Sequence, residues 1–289
     1  MPQSHLARVL LALRANHEWE TIVLPKSRLD PLVAVLPLGL RPSQPDQLER
    51  IGSFKDGGYL IDPRDIARAD GLISLGIDRD WSFERQFRRR NPVPVHAYDG
   101  CTDTGYLLSD FARALRDLNW RWAVRSILRT MDYWWFFSGP SVRHYRRFVG
   151  TDQFAYEKTA ASTIPLQQVF DGIRDAGSLK PFVKIDIEGA EYLMLDELIE
   201  RGHDTAGLAI EFHDCDTRMT EIGAFVERYS LPLVHVHANP YGGIGDGGIP
   251  RALELTFSSS GERRAAPPTL PHPLDRPNDG SVDIILQFA

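Results

Sequence analysis

The sequence predicts an α/β protein built on a mostly parallel central sheet, and three observations carry that prediction. From about residue 50 onward, strand-like and helix-like stretches alternate, which is the order of βαβ units. Two apolar stretches, "PFVKIDIEG" and "GLAIEFHD", end in acids, as strands do where their carboxyl ends frame the ligand crevice of an open α/β sheet. The stretch "SLGIDRDWSFE" passes from an apolar strand pattern through a glycine into a helical pattern, as a βα turn does.

In chain order, Leu6, Val9, Leu10 and Leu13 have the spacing of one amphipathic helix, interrupted by Arg8 and Arg14 and followed by no small-residue cleavage site. It therefore reads as neither signal peptide nor membrane span. A Pro-rich passage from Leu24 to Pro45 reads as a connection. Then come "GGYLI" and "GLISLGI" as strands, "WSFERQFRRR" as a helix and "VPVHAYDG" as a strand. After a long insert follow "PFVKIDIEG" as strand, "AEYLMLDELIERG" as helix, "GLAIEFHD" as strand, "RMTEIGAFVERYS" as helix, and "LPLVHVHAN" and "ALELTFSS" as a hairpin-like strand pair. A Pro-rich tail precedes a last strand, "VDIILQF". The expected organisation is one domain over 1–289: an N-terminal helical extension (1–47), a core (48–258) interrupted by an insert at about 103–160, and a tail (259–289).

With 289 residues, 43% of them hydrophobic, the chain can bury a sizeable core. Acids outnumber Lys plus Arg by 39 to 33, a formal charge of −6 that argues against a general nucleic-acid binder. Two cysteines, Cys101 and Cys215, make neither a disulfide framework nor a CxxC pair, which suits a cytoplasmic setting.

In "FVKIDIEG", alternation puts Lys184, Asp186 and Glu188 on one strand face. A solvated antiparallel strand has the same pattern, but Gly189 and the helical spacing of Tyr192, Leu195, Leu198 and Ile199 favour a parallel strand. Asp186 and Glu188 then face the crevice, and Lys184 partners a carboxylate. The turn at Gly76 lacks the further glycines of a dinucleotide loop. Asp78, Asp80 and Glu84 there repel a pyrophosphate and suit a cation, such as the sulfonium and ammonium of S-adenosylmethionine; for Asp80, plain helix capping explains the residue equally well. Asp99 stands 23 residues after Gly76, the distance at which an acid receives ribose hydroxyls. An Asx turn with Gly100 is the alternative.

These pieces, "VKIDIEGAE", "LAIEFHD", "SLGIDRDWSFE" followed by "HAYDG", and "RIGSFKDGGYLI", resemble the FkbM-like class I methyltransferases, in the same order and over roughly residues 48 to 258. The closing "HVHANPYGG" through "IPRALELTF" resembles a bacterial subgroup. The resemblance implies a Rossmann-like sheet with a final antiparallel strand pair, S-adenosylmethionine as cofactor, the Gly76 loop at its methionine part and Asp99 at its ribose. Many members carry an acid two positions before that glycine, where this chain has Ser74. Asp78, Asp80 or the turn with Gly58 and Tyr59 is expected to substitute, with Ser82 as a further contact.

For methyl transfer to oxygen, His213 is the expected base and Asp186 the second choice or the orienter of the acceptor hydroxyl. His235 and His237 share a face and suggest a divalent ion with Asp186 and His213, against the plainer reading of packed histidines. In the insert, "NWRWAVRSILRTMDYWWFF" puts Trp120, Val124, Ile127, Leu128, Met131 and Trp135 on one helical face and Arg121, Arg125 and Arg129 on another. Phe111 to Arg147 carries a charge of +6 against −12 for the remainder. Three uses fit: packing on the sheet, an acceptor site for a sugar or glycan, to which Arg143, Arg146 and Arg147 add charge for a phosphate or carboxylate, or peripheral contact with an anionic membrane through the helix at 119–137. The sequence thus predicts an O-methyltransferase acting on a sugar hydroxyl. Its rivals are a binding or scaffold protein that keeps the fold, and an NAD-dependent oxidoreductase, which the missing glycines disfavour.

Overall fold

A computed structural model describes residues 32–43, 47–54, 57–150, 161–260, 270–277 and 282–289. The expected N-terminal helix, Asp56, and parts of the insert, the Pro-rich connection and the tail lie outside these residues. Pro31–Ala289 form one compact unit.

The strands are β1 (Val33–Leu36), β2 (Glu49–Gly52), β3 (Gly58–Ile61), β4 (Leu72–Leu75), β5 (Val95–Tyr98), β6 (Val142–Tyr145), β7 (Phe148–Val149), β8 (Thr163–Ile164), β9 (Phe182–Ile185), β10 (Gly207–Phe212), β11 (Leu233–Ala238), β12 (Leu253–Ser258) and β13 (Ile285–Phe288). The α-helices are α1 (Pro63–Arg68), α2 (Ser82–Arg90), α3 (Thr104–Arg116), α4 (Trp120–Phe137), α5 (Leu166–Asp175), α6 (Leu195–Arg201) and α7 (Cys215–Arg228).

Seven strands form the central sheet in the order β11-β12-β10-β9-β4-β5-β6. All neighbours run parallel except at β12, which is antiparallel to both β10 and β11 and lies between them. This is the Rossmann-like arrangement with a closing antiparallel pair. The chain starts in the middle of the sheet at β4, builds outward to β6, then returns to β9 and builds the other way. The topological switch point therefore lies between β4 and β9, where a crevice opens beyond the carboxyl ends.

Strand alternation divides the core. Ile73, Leu75, Val183 and Ile185 face one cluster with Val169, Phe170 and Phe225. Leu72, Phe182 and Ala209 face the other, with Phe83 and Phe87 of α2 and Tyr59 and Ile61 of the β2–β3 hairpin. On this second face, at register-paired positions of β4 and β9, stand Ser74 and Lys184 in place of apolar residues.

Four expectations are corrected. Strand β9 ends at Ile185, so Lys184 is the charged residue within it; Asp186 follows its end, and Glu188 turns through a left-handed conformation (φ +56°). The stretch after Gly189 is a 3-10 turn, Glu191–Met194, before the short α6. The insert contains a sheet strand, β6, whose "VRHY" with its Arg and His does not read as apolar. The Pro-rich connection contains β1, which pairs in parallel with β13 as a separate two-stranded sheet.

Gly76 makes the tightest turn at the switch point. With φ +82° it lets the loop pass the end of β9, where an added Cβ would lie 1.7 Å from the Asp186 carbonyl oxygen. Gly76→Ala is expected to destabilise the protein by more than about 2 kcal/mol, since strain and backbone clash add. Urea denaturation with an unchanged m-value would measure it.

Candidate active site at the carboxyl edge of the sheet

Lys184 organises the site. It is buried, donates from Nζ to the Gly76 carbonyl oxygen (2.6 Å), and stands 3.6 Å from Asp186 Oδ2. Burial opposes its charge, but Asp186, Glu84, Glu211 and Asp99 together hold its pKa above the ordinary lysine value. Lys184 is thus the structural partner expected of it. Glu84 reaches the same island from the first turn of α2 and accepts a hydrogen bond from Ser74 Oγ. Burial raises the Glu84 pKa against the pull of Lys184 and Ser74. Glu84, expected with Asp78 and Asp80 to face a cationic ligand, is instead buried against Ser74 and Lys184.

At the ends of β9 and β10 the carboxylates converge. The Tyr59 hydroxyl lies 3.0 Å from Asp186 Oδ2 and 3.3 Å from Glu211 Oε2, and Asn239 Nδ2 donates to Glu211 Oε1 (2.7 Å). Glu211 is fully buried; desolvation, then repulsion by Asp186 and Glu254, pushes its pKa well above the carboxylate range. Beside it, His213 is fixed from behind by the buried Glu191, whose Oε1 accepts from the backbone N–H of His213 (2.7 Å) and lies 3.2 Å from its Nδ1. That contact directs Nε2 toward Glu188 Oε2 (3.6 Å) and Glu211 Oε1 (3.9 Å). Burial disfavours the imidazolium, but the Glu191 hydrogen bond and the charges of Glu191, Glu211 and Asp186 overcome it and raise the pKa to about 10. The surroundings of His213 thus favour its protonated form.

The structure brings together Asp186, Tyr59, His213 and, at its exposed edge, Glu188. Gly58 starts β3, Gly57 lies against the Asp80 side chain, and Asp80 Oδ1 accepts from the Ser82 backbone N–H (2.8 Å), so Asp80 caps α2. Ser82 Oγ is buried and has no hydrogen-bond partner among the described residues. Asp99 is committed elsewhere than expected. Its Oδ2 accepts from the backbone N–H groups of Ile77 (3.0 Å) and Asp78 (2.9 Å), and its Oδ1 from those of Cys101 (2.8 Å) and Thr102 (2.9 Å). Burial works against the charge, but these four donors keep its pKa low. Asp99 therefore shapes the Gly76 loop.

Asp186, Glu211 and His213 each present a ligand atom within 4.8 Å of the others, a donor set a divalent cation can bridge. His235 and His237 do not join them. His235 Nε2 pairs with Asp275 (3.0 Å), and His237 lies between Glu254 (3.1 Å) and Asp283 (3.2 Å). Both histidines are held by carboxylates distant in sequence, so strand spacing alone misdirects. Arg146 pairs with Asp103 (2.7 Å) and Arg147 donates to Ser162, while Arg143 is exposed. Glu191 and Asn239 are site residues that sequence reasoning did not single out, although they stand inside the quoted stretches "VKIDIEGAE" and "HVHANPYGG"; Glu84, expected to face a cationic ligand, is buried instead.

No family profile matches the chain, and no curated protein does. Among solved structures it is similar to an O-methyltransferase family protein from Burkholderia thailandensis, with 12% identity and a TM-score of 0.29 over 68% of this chain and 53% of that one. It is also similar to a variant of the 16S rRNA (adenine(1408)-N(1))-methyltransferase from Catenulisporales acidiphilia, with 11% identity and a TM-score of 0.28 over 74% and 98% of the two chains. The chain thus spans about half the length of the first of these. At this overlap the likenesses bear on neither chemistry nor substrate.

Lys184→Met should cost about 3–5 kcal/mol, because it leaves Glu84 and Asp186 uncompensated, and adding Glu84→Gln should recover part of that loss in a double-mutant cycle. His213 sets a pH dependence. Its folded pKa is raised to about 10, so its contribution is complete below the unfolded value of about 6.5 and is lost as pH rises toward 10. Glu211, a carboxyl with a raised pKa, acts in the same direction. Urea midpoints should fall between pH 6.5 and 10 in the wild type and fall less in His213→Asn.

Proposed function

We propose that the chain is an S-adenosylmethionine-dependent methyltransferase that methylates a hydroxyl oxygen, with a sugar in a glycan or glycosylated small molecule as acceptor. The observation that carries this reading is His213, braced by Glu191 and set between Asp186 and Glu211 at the carboxyl ends of β9 and β10, next to the switch point of the sheet. The donor set fits the cofactor in kind. Asp78, Asp80, Asp186, Glu188 and Glu211 make an acidic rim, which favours a ligand bearing sulfonium and ammonium charges and disfavours the pyrophosphate of a dinucleotide.

S-adenosylmethionine supplies an electrophilic methyl group on sulfur. The chain's own residues do the rest. Asp80, Ser82, Gly58 and Tyr59 border the Gly76 loop, and Asp99 holds that loop in shape. Asp186 orients the acceptor hydroxyl, its own position fixed by Tyr59 and Lys184. His213 takes the acceptor proton at Nε2 as the oxygen–methyl bond forms and the carbon–sulfur bond breaks, leaving a methyl ether, a thioether and an imidazolium. To do so it must first be neutral. Positive charge bound beside Asp186 and Glu211 opposes the imidazolium and so favours the neutral form.

Calorimetric titration tests the cofactor. S-adenosylmethionine and S-adenosylhomocysteine should bind saturably and NADH should not, and Asp99→Ala should weaken adenosyl binding by loosening the loop. Failure of both adenosyl ligands to bind folded protein would sink the proposal. The imidazole resonances of His213 should titrate at lower pH with S-adenosylmethionine than with the homocysteine, which lacks the sulfonium. In a transfer assay against mono- and oligosaccharides, His213→Ala should lower kcat by roughly 10²–10⁴ with little change in cofactor affinity; unchanged turnover would remove His213 as the base.

A further inference from the structure

The helical hairpin formed by α3 and α4 is built inside out. The two helices pack through small or short residues, with Ala114, Ala123, Ser126 and Thr130 buried. Phe136, near the end of α4, is buried, but most large apolar residues earlier in the helix face water. Trp120 (62%), Val124 (51%), Leu128 (57%), Met131 (62%) and Trp135 (73%) form one exposed stripe. The expectation that these side chains pack on the sheet is thus overturned; Ile127, on the same face, is half-buried. The turn between the helices adds Leu118, 90% exposed and held at φ +52°. A leucine in the left-handed region carries a conformational cost; here the backbone uses it to close α3, with Leu118 N–H donating to the Leu115 carbonyl (3.1 Å) and Asn119 N–H to the Ala114 carbonyl (2.8 Å), while the side chain stays in water.

The hairpin also projects. α3 starts beyond the carboxyl end of β5, and α4 ends before Val142, which pairs with Val95 at the amino end of the sheet. Helix α4 has 18 residues, about 27 Å at 1.5 Å per residue, against roughly 13 Å for a four-residue strand. At the carboxyl edge it is gripped at Asp132, by Trp81 Nε1 (2.9 Å) and by Arg85. The part of α4 before Asp132 therefore extends past that edge by about 18 Å.

Arginines flank the stripe. Arg113 and Arg129 lie near Asp110 (3.6 and 3.7 Å) and Arg116 near Asp117 (3.4 Å), whereas Arg121 and Arg125 are exposed with no carboxylate partner among the described residues. We propose that this hairpin docks the protein on an anionic lipid bilayer, with Leu118, Trp120 and the α4 stripe entering the interface and Arg121 and Arg125 meeting lipid phosphates. Charge selects this occupant. A second copy would bring arginine rows against arginine rows. Met1–Asp30, with four basic and three acidic residues, offers no net negative charge. An anionic surface attracts the +6 segment and repels the −12 remainder, which orients the hairpin toward lipid. Among the described residues no helix is long and apolar enough to cross a membrane, so the contact is peripheral. The carboxyl edge then faces the bilayer. Resting on the methyltransferase reading, this makes the acceptor a glycan carried on lipid.

Co-sedimentation of the full chain with phosphatidylcholine vesicles, with and without phosphatidylglycerol, tests the docking. Binding should be at least about tenfold tighter to the anionic vesicles, weaken with salt, and blue-shift tryptophan emission. Leu118→Asp, which suits the left-handed turn, and Trp120→Asp should abolish binding at unchanged melting temperature. Arg121→Glu with Arg125→Glu should weaken it tenfold or more, at about one kcal/mol per charge near the surface. Equal binding to both vesicle types, or none, overturns the proposal. So does a dimer that Leu118→Asp makes monomeric, which assigns the face to a second copy. A monomer that ignores lipid and whose tryptophans resist acrylamide quenching assigns it to Met1–Asp30. Vesicle binding without adenosyl-ligand binding would leave the docking standing and remove the methyltransferase reading.

Discussion

A buried ammonium, that of Lys184, is the constraint from which the rest of the site follows. Two parallel strands meet at the switch point, and at their paired positions the sequence places Ser74 and Lys184, flanked in register by Ala97 and Ala209. An isolated charge there would cost several kcal/mol. It is retained because Glu84 descends from α2, Asp186 stands at the end of the same strand, and the Gly76 carbonyl accepts its proton. Each of those partners does a second thing. Glu84 ties α2 to β4 through Ser74, Gly76 sets the loop that follows β4, and Asp186 begins the acidic edge. Helix, loop and edge are thus positioned by one electrostatic compensation.

The carboxyl edge shows what that compensation permits. Asp78, Glu188 and Asp214 follow three of the parallel strands, β4, β9 and β10, and all have positive φ although none is glycine. Such backbone is tolerated where the surroundings over-determine it, and it gathers at binding sites. Here the determinants are specific. Four backbone N–H groups converge on Asp99 from the loops after β4 and β5, and Glu191 accepts from the backbone of both Gly189 (2.8 Å) and His213. Carboxylates close these loops alongside two glycines, Gly76 (φ +82°) and Gly189 (φ +97°).

The sequence made this fold legible through periodicity. β4, β5, β9, β10, β11 and β12 lie where alternation and apolar runs put them, because strands buried on both faces have little freedom in composition. β6 and β1 escaped for opposite reasons: "VRHY" is an edge strand whose polar residues hide the signal, and β1 is embedded among prolines and pairs with a strand 252 residues away in sequence. At the site, Asp186 and His213 were legible because strand ends are fixed by the motif around them. The partners of Glu84, Asn239, His235 and His237 were not, since their contacts join elements whose spacing in sequence is arbitrary. Asp99 was legible as an acid ending β5, but its four backbone donors are a property of two loops meeting, which no single stretch encodes. The exposed stripe of α4 was legible as a stripe, while its direction was not. Helical periodicity identifies a face and is blind to what lies opposite it.

His213 and the hairpin share one physical origin, the separation of charge within the chain. The body is acidic, and it concentrates that acidity where β4, β9 and β10 end; the hairpin is basic and stands just past that edge. A proton on His213 is held there by the same negative field that would attract a sulfonium, so proton and cationic ligand compete for one set of carboxylates. The competition has a useful sign. A cation bound among these carboxylates favours the neutral imidazole, and without one they favour the imidazolium. On the outer side, the arginines of α4 bias the approach of anionic surfaces toward the end of the sheet where His213 stands. The acid cluster sets the charge of that edge, and the basic hairpin sets the charge of the surface beside it.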